Sequence, residues 1–196
     1  MNIHNQEKNK LVNSVFNKVY KNYDLMNDIM SFGVHRLWKK NLVSWMNPQQ
    51  GNKIIDVASG TGDLAKIISK KNNNRNSIHC AEPNQGMFKT GERKLKYFKN
   101  IKWHLCSAEM LPFENDTFDF YTISYGIRNV TNIHQCLKEA FRILKPGGRF
   151  LCLEFSKVEN EILNSLYKNY SKLIPILGKI VIGKSDPYEY LVSSID

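Results

Sequence analysis

From residue 53 onward the sequence alternates between short apolar segments and longer amphipathic segments, and this alternation limits the possible folds more than any other feature. The apolar segments have the length of buried strands, and they predict strands at 53–57, 77–81, 101–106, 118–124 and 149–155. The segments between them predict helices at 63–70, 85–98 and 132–144. Strands that alternate with helices form right-handed βαβ units. The sequence therefore predicts an α/β fold, with a mostly parallel sheet of about five strands and helices on both faces.

Before residue 49 the pattern is helical, and no strand signal is visible. Apolar residues recur at helical spacing over 11–20. A second helical segment at 23–30 breaks at Ser31-Phe32-Gly33, and a third runs from 35 to 45 and stops before Pro48. We expect this part of the chain to form a helical cap in front of the sheet.

The chain carries 28 Lys and Arg residues against 18 Asp and Glu residues, a formal net charge of +10. Such a charge is compatible with nucleic-acid or anionic-membrane partners. Only 6 of the 28 basic residues are Arg, however, and Arg is favoured for bidentate recognition of phosphates and bases. The composition therefore favours a Lys-rich surface without a nucleic-acid partner. A basic stretch at 89–102, which includes Lys94, is interpreted as the solvated face of a helix.

No segment marks the chain for a membrane or for export. The longest apolar run, 173–182, is broken by Pro175 and Gly178 and is shorter than the roughly 20 residues that cross a bilayer. The first ten residues lack the apolar core of a secretory signal. We therefore expect a cytoplasmic protein. The four Cys residues show no C-x-x-C spacing, so we expect free thiols and no metal site.

The sharpest local signal is the strand at 53–57 running into Ala58-Ser59-Gly60-Thr61-Gly62, which opens a predicted helix. Gly60 and Gly62 permit left-handed backbone conformations and let a ligand approach the main chain closely. The first amides of the helix offer hydrogen-bond donors to such a ligand. Glu82 ends the next predicted strand, 20 residues after Gly62, where a carboxylate can accept both hydroxyls of a ribose. These residues predict a cofactor that contains a nucleoside.

Two cofactors compete for this loop. The spacing Gly60-x-Gly62-x-x-Ala65 matches the dinucleotide fingerprint of nicotinamide and flavin enzymes. Asp56, four residues before Gly60, instead suits the cationic amino end of S-adenosylmethionine. The polar turn Ser107-Ala108-Glu109 after the third strand could hold an adenine amino group. We favour S-adenosylmethionine and keep a dinucleotide as the alternative.

Longer motifs narrow the interpretation to one family. The turn Lys145-Pro146-Gly147-Gly148 is a recurrent feature of class I methyltransferases. Segments 23–38 (YDLMNDIMSFGVHRLW) and 142–156 (RILKPGGRFLCLEFS) resemble the two signatures of the ubiquinone/menaquinone biosynthesis C-methyltransferase family. Segment 123–131 (ISYGIRNVT) resembles the stretch that follows the fourth strand in that family. The resemblance extends from about residue 15 to residue 194.

The resemblance implies a single methyltransferase domain over 1–196 with a Rossmann-like class I fold. In this domain a helical cap at 1–48 precedes a cofactor-binding core at 49–158, and a helical to irregular segment follows at 159–196. Class I methyltransferases close their sheet with a C-terminal β-hairpin, which we expect to be missing here. The fifth strand would then lie near an open edge, where pairing with a second copy would give a homo-oligomer.

The resemblance also implies a reaction. This is methyl transfer from S-adenosylmethionine to a ring carbon of a polyprenylated benzoquinol or demethylmenaquinol. The family's cofactor contacts map onto Thr61, Glu82, Ser107, Ala108 and Ser124. The glycine loop adds Asp56, Gly60 and Gly62 to the predicted cofactor site. Another methyl acceptor, RNA included, and an inactive cofactor-binding protein are the alternatives.

A hydroquinone ring becomes nucleophilic at carbon when its hydroxyl loses a proton, so the site needs a base and a cation beside the phenolate. We assign Arg128 to the phenolate or to water orientation, with Asn129 as its hydrogen-bonding neighbour and a structural ion pair as the alternative. His35 is a second candidate base, although a structural role is favoured. Three cap residues are expected either to close the pocket or only to pack helices: Tyr23, Asp24 and Asn27.

The prenyl tail of such a substrate requires an apolar groove. The run at 173–182 and the first helix are candidates for it, with an ordinary core helix as the alternative. The positive charge would also allow peripheral contact with an anionic membrane surface.

Overall fold

The computed structural model of the protein describes residues 3–156 together with Tyr170 and Ile174. The cap consists of three helices: α1 (Ile3–Val19), α2 (Tyr23–Ser31) and α3 (Val34–Met46), with a 3-10 turn at Tyr20–Asn22. Phe32 and Gly33 adopt left-handed conformations, with φ of 49° and 74°, and so reverse the chain between α2 and α3. The expected helical cap is confirmed over the described part of 1–48.

Five parallel strands follow the cap, with an α-helix between successive strands except between the third and the fourth. The strands are β1 (Lys53–Val57), β2 (Ser77–Ala81), β3 (Ile101–His104), β4 (Phe118–Ser124) and β5 (Leu144–Leu153). The helices are α4 (Asp63–Lys71), α5 (Gln85–Lys94) and α6 (Ile133–Ile143). The strand order is β3-β2-β1-β4-β5, and every neighbouring pair is parallel. This arrangement confirms the predicted α/β fold.

Three predicted elements had wrong boundaries, and one of them, β5, is wrong at both ends, since it stops at Leu153 rather than at residue 155. β3 ends two residues early, because its ladder with β2 ends where Ala81 pairs with His104 and β2 itself stops. α5 ends at Lys94 rather than at residue 98, since Leu95 turns into the core and is only 2% exposed. β5 begins at Leu144, before a bulge that separates the Phe118–Leu144 pair from the Phe120–Arg149 pair. Lys145-Pro146-Gly147-Gly148 forms this bulge, and Gly147 has φ +78°.

The core lies on both faces of the central strand β1. Ile55 and Val57 pack in a cluster that includes Ala140 of α6. Ile54 packs on the other face, in a cluster that includes Leu42 of α3 and Ile68 of α4. A central strand buried on both faces is typical of a parallel sheet covered by helices. The rigid sheet fixes the carboxyl ends of β1, β2 and β4, which is where the candidate site lies.

Within the described residues, β5 pairs only with β4 and forms one edge of the sheet. Pairing of this edge with a second copy stays a prediction. Among the helices of the described residues, none combines the length and apolar character needed to span a membrane. The candidate tail-binding run at 173–182, apart from Ile174, and most of the segment 159–196 lie outside the described residues.

Candidate functional site

A cavity opens at the carboxyl ends of β1, β2 and β4, where the strand order reverses between β1 and β4. Its volume is about 750 Å³, counted to its open mouth, and this is enough for a nucleoside-sized ligand. The lining includes Phe16 and Tyr23 of the cap, and Gly60, Glu82, Ala108 and Asn129 of the sheet side. The switch point of an open parallel sheet is the expected position for a ligand.

The glycine loop forms the floor of this cavity beside β1. Gly60 has φ +58°, and its N–H donates a hydrogen bond of 2.8 Å to Oε2 of Glu82. A Cβ at Gly60 would lie 3.3 Å from Cε1 of Tyr23, so a side chain there would press on the cap. Gly62 has φ +82°, and a Cβ there would lie 2.6 Å from Leu95. Both glycines are therefore needed, for conformation as well as for space.

Glu82 is a buried carboxylate at the end of β2. Its Oε1 accepts the N–H of Asn84 at 2.9 Å, while its Oε2 accepts the N–H of Gly60. Burial raises the pKa of Glu82 to about 7, although the two amide hydrogen bonds lower it. Each carboxylate oxygen can accept a second hydrogen bond. The side chain is thus held in place by the backbone and can still receive the two hydroxyls of a ribose.

Polar atoms near the end of β4 lack hydrogen-bond partners within the described residues. The Oγ of Ser124 and the hydroxyl oxygen of Tyr125 are both buried without such a partner. Tyr125 lines the cavity in a left-handed conformation, with φ 55°. Buried polar groups without partners are costly, and they cluster where a ligand completes the hydrogen bonding. Unsatisfied groups, a glycine floor and a buried acid together fit a polar nucleoside cofactor.

The turn after β3 lines the other end of the cavity through Ser107, Ala108 and Glu109. The Glu109 carboxylate accepts the amides of Thr131 at 2.9 Å and Asn132 at 3.1 Å. This acid therefore fastens the turn to the start of α6. Ser107 and Ala108 are placed where the adenine end of a cofactor was expected.

The cap is joined to the glycine loop by a polar network that the sequence reasoning missed. Thr61 donates a hydrogen bond of 2.7 Å to Asp24 of α2. Lys94 of α5 lies 2.6 Å from Asp24 and 2.7 Å from Asp63. Lys94 is exposed, as expected for the solvated face of a helix, and its ammonium also bridges two carboxylates. Lys94 and Asp24 are 70 positions apart, and no local pattern connects them.

Tyr23 covers the glycine loop from the cap side. Its side chain is hydrogen-bonded to that of Asn27, one helical turn further along α2. Burial raises the pKa of Tyr23, whereas the Asn27 hydrogen bond and the charge of Arg128 lower it. The ring also makes an edge contact with Phe16, at 6.0 Å between centroids. Tyr23 thus lies on the cavity wall, and Asn27 orients it from behind.

Arg128 forms an ion pair with Glu154, which the sequence reasoning did not single out. The guanidinium donates to Oε1 of Glu154 and lies 5.4 Å from the ring centroid of Phe155. Asn129, the next residue, lines the cavity and donates to the carbonyl of Tyr125 at 3.5 Å. The ion pair that we gave as the alternative role of Arg128 is therefore present, next to the cavity wall. Glu154 lies within the motif LEFS, and no spacing rule links it to Arg128.

His35 lies at the start of α3, with only 1% of its side chain exposed. Its Nδ1 is 2.8 Å from Oγ of Ser31. Burial lowers the pKa of His35, and the positive charge of Lys39 lowers it further. The favoured structural role therefore agrees with its position between α2 and α3.

Asp56 is buried near the carboxyl end of β1 and is not part of the cavity lining. Its Oδ1 accepts the hydroxyl of Thr122 at 3.1 Å. Burial raises the pKa of Asp56 to about 7, while the Thr122 hydrogen bond and the charge of Lys39 lower it. Its assignment to the cationic end of the cofactor stays a prediction.

The predicted site residues divide into two groups. The cavity brings together Tyr23, Gly60, Glu82, Ser107, Ala108 and Asn129. The others are not part of its lining: Asp24, Asn27, His35, Asp56, Thr61, Gly62, Ser124 and Arg128. The individual roles of both groups stay predictions.

A second, largely apolar groove adjoins the ion pair of Arg128. Its volume is about 1070 Å³, counted to its open side. The lining includes Phe32, Val34, Trp38, Leu153, Glu154 and Phe155. Glu154 is therefore a charged group at the border of an apolar groove. Its ion-pair partner Arg128 directly precedes Asn129, which lines the cavity.

Known proteins were compared with the chain at the levels of family, sequence and structure. A family model described as the ubiE/COQ5 methyltransferase family matches residues 3–196. The ubiquinone/menaquinone biosynthesis C-methyltransferase UbiE of Rickettsia bellii (strain OSU 85-389) is 49% identical over 197 residues, covering 97% of this chain and 79% of that protein. The protein of the same name from Rickettsia akari (strain Hartford) is 47% identical with the same coverage.

Among solved structures, a SAM dependent methyltransferase from Aquifex aeolicus is similar with a TM-score of 0.58. The two chains are 18% identical, over 63% of this chain and 66% of that one. At this level of identity the similarity concerns the fold alone, which is Rossmann-like.

Proposed function

The chain belongs to the ubiE/COQ5 methyltransferase family, and we propose that it methylates a ring carbon of a polyprenylated benzoquinol or demethylmenaquinol in ubiquinone/menaquinone biosynthesis. It is an S-adenosylmethionine-dependent methyltransferase, and the dinucleotide alternative is set aside. The observation that carries the proposal is the cavity at the β1–β4 switch point, with the glycine loop and Glu82 on its floor.

The residues of this cavity fit S-adenosylmethionine. Glu82 would receive the ribose hydroxyls, and Gly60 would let the cofactor approach the main chain. Ser107 and Ala108 would hold the adenine end, and the unsatisfied hydroxyl of Ser124 would gain a partner. When bound, the cofactor supplies a methyl group on a positively charged sulfur.

The protein's own contribution is positioning and charge. Tyr23 covers the glycine loop and keeps water from the reacting centre, since its ring lies over Gly60. Alignment of two reactants in one cavity lowers the barrier without further chemistry. Arg128 places a fixed positive charge beside the cavity wall, where it would stabilise the phenolate oxygen of the acceptor.

The acceptor's apolar part belongs in the groove lined by Phe32, Trp38 and Phe155. The groove borders the Arg128–Glu154 pair, so a ring beside that pair can extend an apolar tail along it. The proposed function thus assigns the prenyl tail to this groove instead of to the run at 173–182.

Peripheral contact with an anionic membrane surface is part of the same proposal. Leu37 and Trp45 of α3 are 57% and 77% exposed, and Phe32 is 74% exposed. Exposed aromatic and aliphatic side chains beside the lysine-rich surface suit the boundary between lipid headgroups and acyl chains. Retention on vesicles with anionic lipids, lost at high salt, tests this part.

Two measurements test the proposed function. Calorimetry with S-adenosylmethionine should show binding by the unmutated chain, weakened at least tenfold by Glu82→Ala. Incubation with a short-chain demethylquinol should then give a product methylated on a ring carbon, detected by mass spectrometry and NMR. Binding without methylation of any quinol would contradict the proposed substrate but not the cofactor.

A further inference from the structure

We propose that Glu154 is a catalytic residue that accepts the proton lost by the ring hydroxyl of the methyl acceptor, while Arg128 takes the resulting phenolate as its new partner. This inference rests on the proposed function, since it requires an acceptor with an ionisable ring hydroxyl. It adds a base to a site for which the sequence offered only His35.

The Glu154 carboxylate is hydrogen-bonded mainly through one of its two oxygens. Its Oε1 accepts a hydrogen bond from the guanidinium of Arg128 and another of 3.0 Å from the N–H of Phe155. Its Oε2 lies 3.5 Å from the N–H of Arg128, a weak contact. The side chain is 18% exposed, so it is largely shielded from water. Oε2 therefore keeps acceptor capacity on the side of the carboxylate away from Phe155.

The location of Glu154 also suits a base for the acceptor. Glu154 lines the apolar groove, and the partner of its ion pair precedes Asn129, which lines the cofactor cavity. Burial is the main cause of the raised pKa of Tyr125, a residue of the cavity wall. The negative charge of Glu154 raises this pKa further. The carboxylate is thus within electrostatic reach of the cavity while it borders the groove. An acceptor ring that bridges the two spaces would pass next to Glu154.

Proton transfer to Glu154 also preserves the balance of charge around Arg128. The O–H bond of the acceptor breaks and an O–H bond forms on Glu154, so one proton moves and no other reactant is needed. Before the transfer Arg128 faces the Glu154 carboxylate, and afterwards it faces the phenolate while Glu154 is neutral. Arg128, Glu154 and the acceptor together therefore keep one positive and one negative charge before and after the transfer. A buried cation that always retains an anionic partner avoids the cost of an unpaired charge.

The other acids beside the cavity are bonded to the backbone away from the groove. Among the described residues that line the cavity or the groove, the carboxylates are Glu82, Glu109 and Glu154. Glu82 accepts two backbone amides next to the glycine loop, and Glu109 accepts two at the start of α6. Glu154 is the one of the three that lines the apolar groove, where the apolar tail of the acceptor belongs.

The variant Glu154→Gln tests the proposal, because it keeps the size of the side chain and its acceptor oxygen but removes the basic carboxylate. We expect the affinity for S-adenosylmethionine to stay within about threefold and kcat with a demethylquinol at neutral pH to fall about 100-fold or more. The remaining activity should rise about tenfold per pH unit, since the variant depends on acceptor that has already ionised. An acceptor analogue with an electron-withdrawing substituent, and hence a more acidic hydroxyl, should recover much of the loss.

The matched control is Glu139→Gln, which also removes the carboxylate of a Glu–Arg ion pair, with Arg142, outside the cavity and the groove. It should keep kcat and the pH profile of the unmutated protein. A Glu154→Gln variant with kcat within threefold of the unmutated protein would overturn the proposal. A loss of equal size at every pH and with every acceptor would also overturn it, because that result describes a residue that only positions Arg128. Absence of quinol methylation by the unmutated protein, despite cofactor binding, would overturn the proposed function and this inference together.

Discussion

Thr61, in the glycine loop, donates a hydrogen bond of 2.7 Å to Asp24 of cap helix α2. Asp24 also lies 2.6 Å from Lys94, whose ammonium in turn contacts Asp63 at the start of α4. The cap, the cofactor loop and α5 therefore meet in one polar network at the edge of the cavity. Such a connection couples the position of the cap to occupation of the loop.

Removal of the Thr61 hydroxyl by Thr61→Val should weaken S-adenosylmethionine binding by about three- to tenfold, the equivalent of roughly 1 kcal/mol. Faster dissociation should account for most of the change, because a loosened cap no longer retains the ligand. Calorimetry and stopped-flow kinetics would measure both quantities. Thr117→Val, which removes a comparable hydroxyl bonded to the carbonyl of Glu114, is the control.

A double-mutant cycle separates the cap contact from a direct contact between Thr61 and the cofactor. If Thr61 acts through Asp24, then Thr61→Val and Asp24→Asn should be clearly non-additive in their effects on affinity. Additive effects would show that the two residues act independently.

The buried Glu82 should make the cofactor-free protein less stable as the pH rises. Its pKa is about 7 in the folded protein and 4.5 ordinarily, so between these values the folded state holds the proton more tightly than the unfolded state. The free energy of unfolding should therefore fall from about pH 4.5 to about pH 7, by on the order of 3 kcal/mol for this group. Burial also raises the pKa of Asp56 to about 7, so this residue adds to the loss of stability as the pH rises.

Urea unfolding at several pH values measures this dependence. In Glu82→Gln the free energy of unfolding should depend less steeply on pH between about 4.5 and 7. The variant should also be less stable than the unmutated protein at low pH, because it loses one of the amide hydrogen bonds. An unchanged slope would mean that Glu82 does not titrate in this range. Glu139→Gln again serves as a control, since the Arg142 guanidinium lowers the pKa of that carboxyl.

The sequence was sufficient for features that depend on local patterns. The bounds of β1, β2 and β4 were predicted correctly, because each is an apolar run between clear turn signals. Glu82 was predicted at the end of the second strand, and the parallel pairing of β1 with β2 brings its carboxylate to Gly60. The ends of β3 and α5 were wrong because they are set by tertiary contacts, not by periodicity.

Polar pairs between distant segments were beyond the sequence reasoning. The Arg128–Glu154 pair joins loops after β4 and β5, and the Asp24–Lys94 pair joins the cap to α5. A charged residue in a loop has no spacing that indicates its partner, so only the folded sheet brings these groups together. The resemblance to a family located Arg128 but gave no reason to select Glu154.

Gly91→Ala should destabilise the protein, although replacement of glycine by alanine inside a helix ordinarily stabilises it by about 1 kcal/mol. A Cβ at Gly91 would lie only 2.1 Å from Cη2 of Trp103, so the indole ring would have to move. The same ring lies 2.9 Å from the Cβ position of Gly62, and its displacement should disturb the cofactor loop.

We expect Gly91→Ala to lower the free energy of unfolding by about 1–3 kcal/mol, as overpacked cores do. Affinity for S-adenosylmethionine should fall with it. Urea unfolding followed by circular dichroism would measure the stability, with Glu92→Ala at the next, exposed helix position as the reference. A more stable Gly91→Ala variant would show that the space beside Trp103 is larger than the structure indicates.

His35→Gln should lower stability while leaving catalysis intact, because His35 is buried between α2 and α3 and bonded to Ser31. Its pKa is lowered in the folded protein, so its contribution is present above about pH 6.5 and is lost as the pH falls below that value. We expect the free energy of unfolding at pH 7.5 to fall by about 1–3 kcal/mol, with kcat and its pH profile within threefold of the unmutated protein. His134→Gln, on the exposed side of α6, is the control and should change neither quantity. A hundredfold loss of kcat in His35→Gln, with the acidic limb of the pH profile removed, would instead identify His35 as the base.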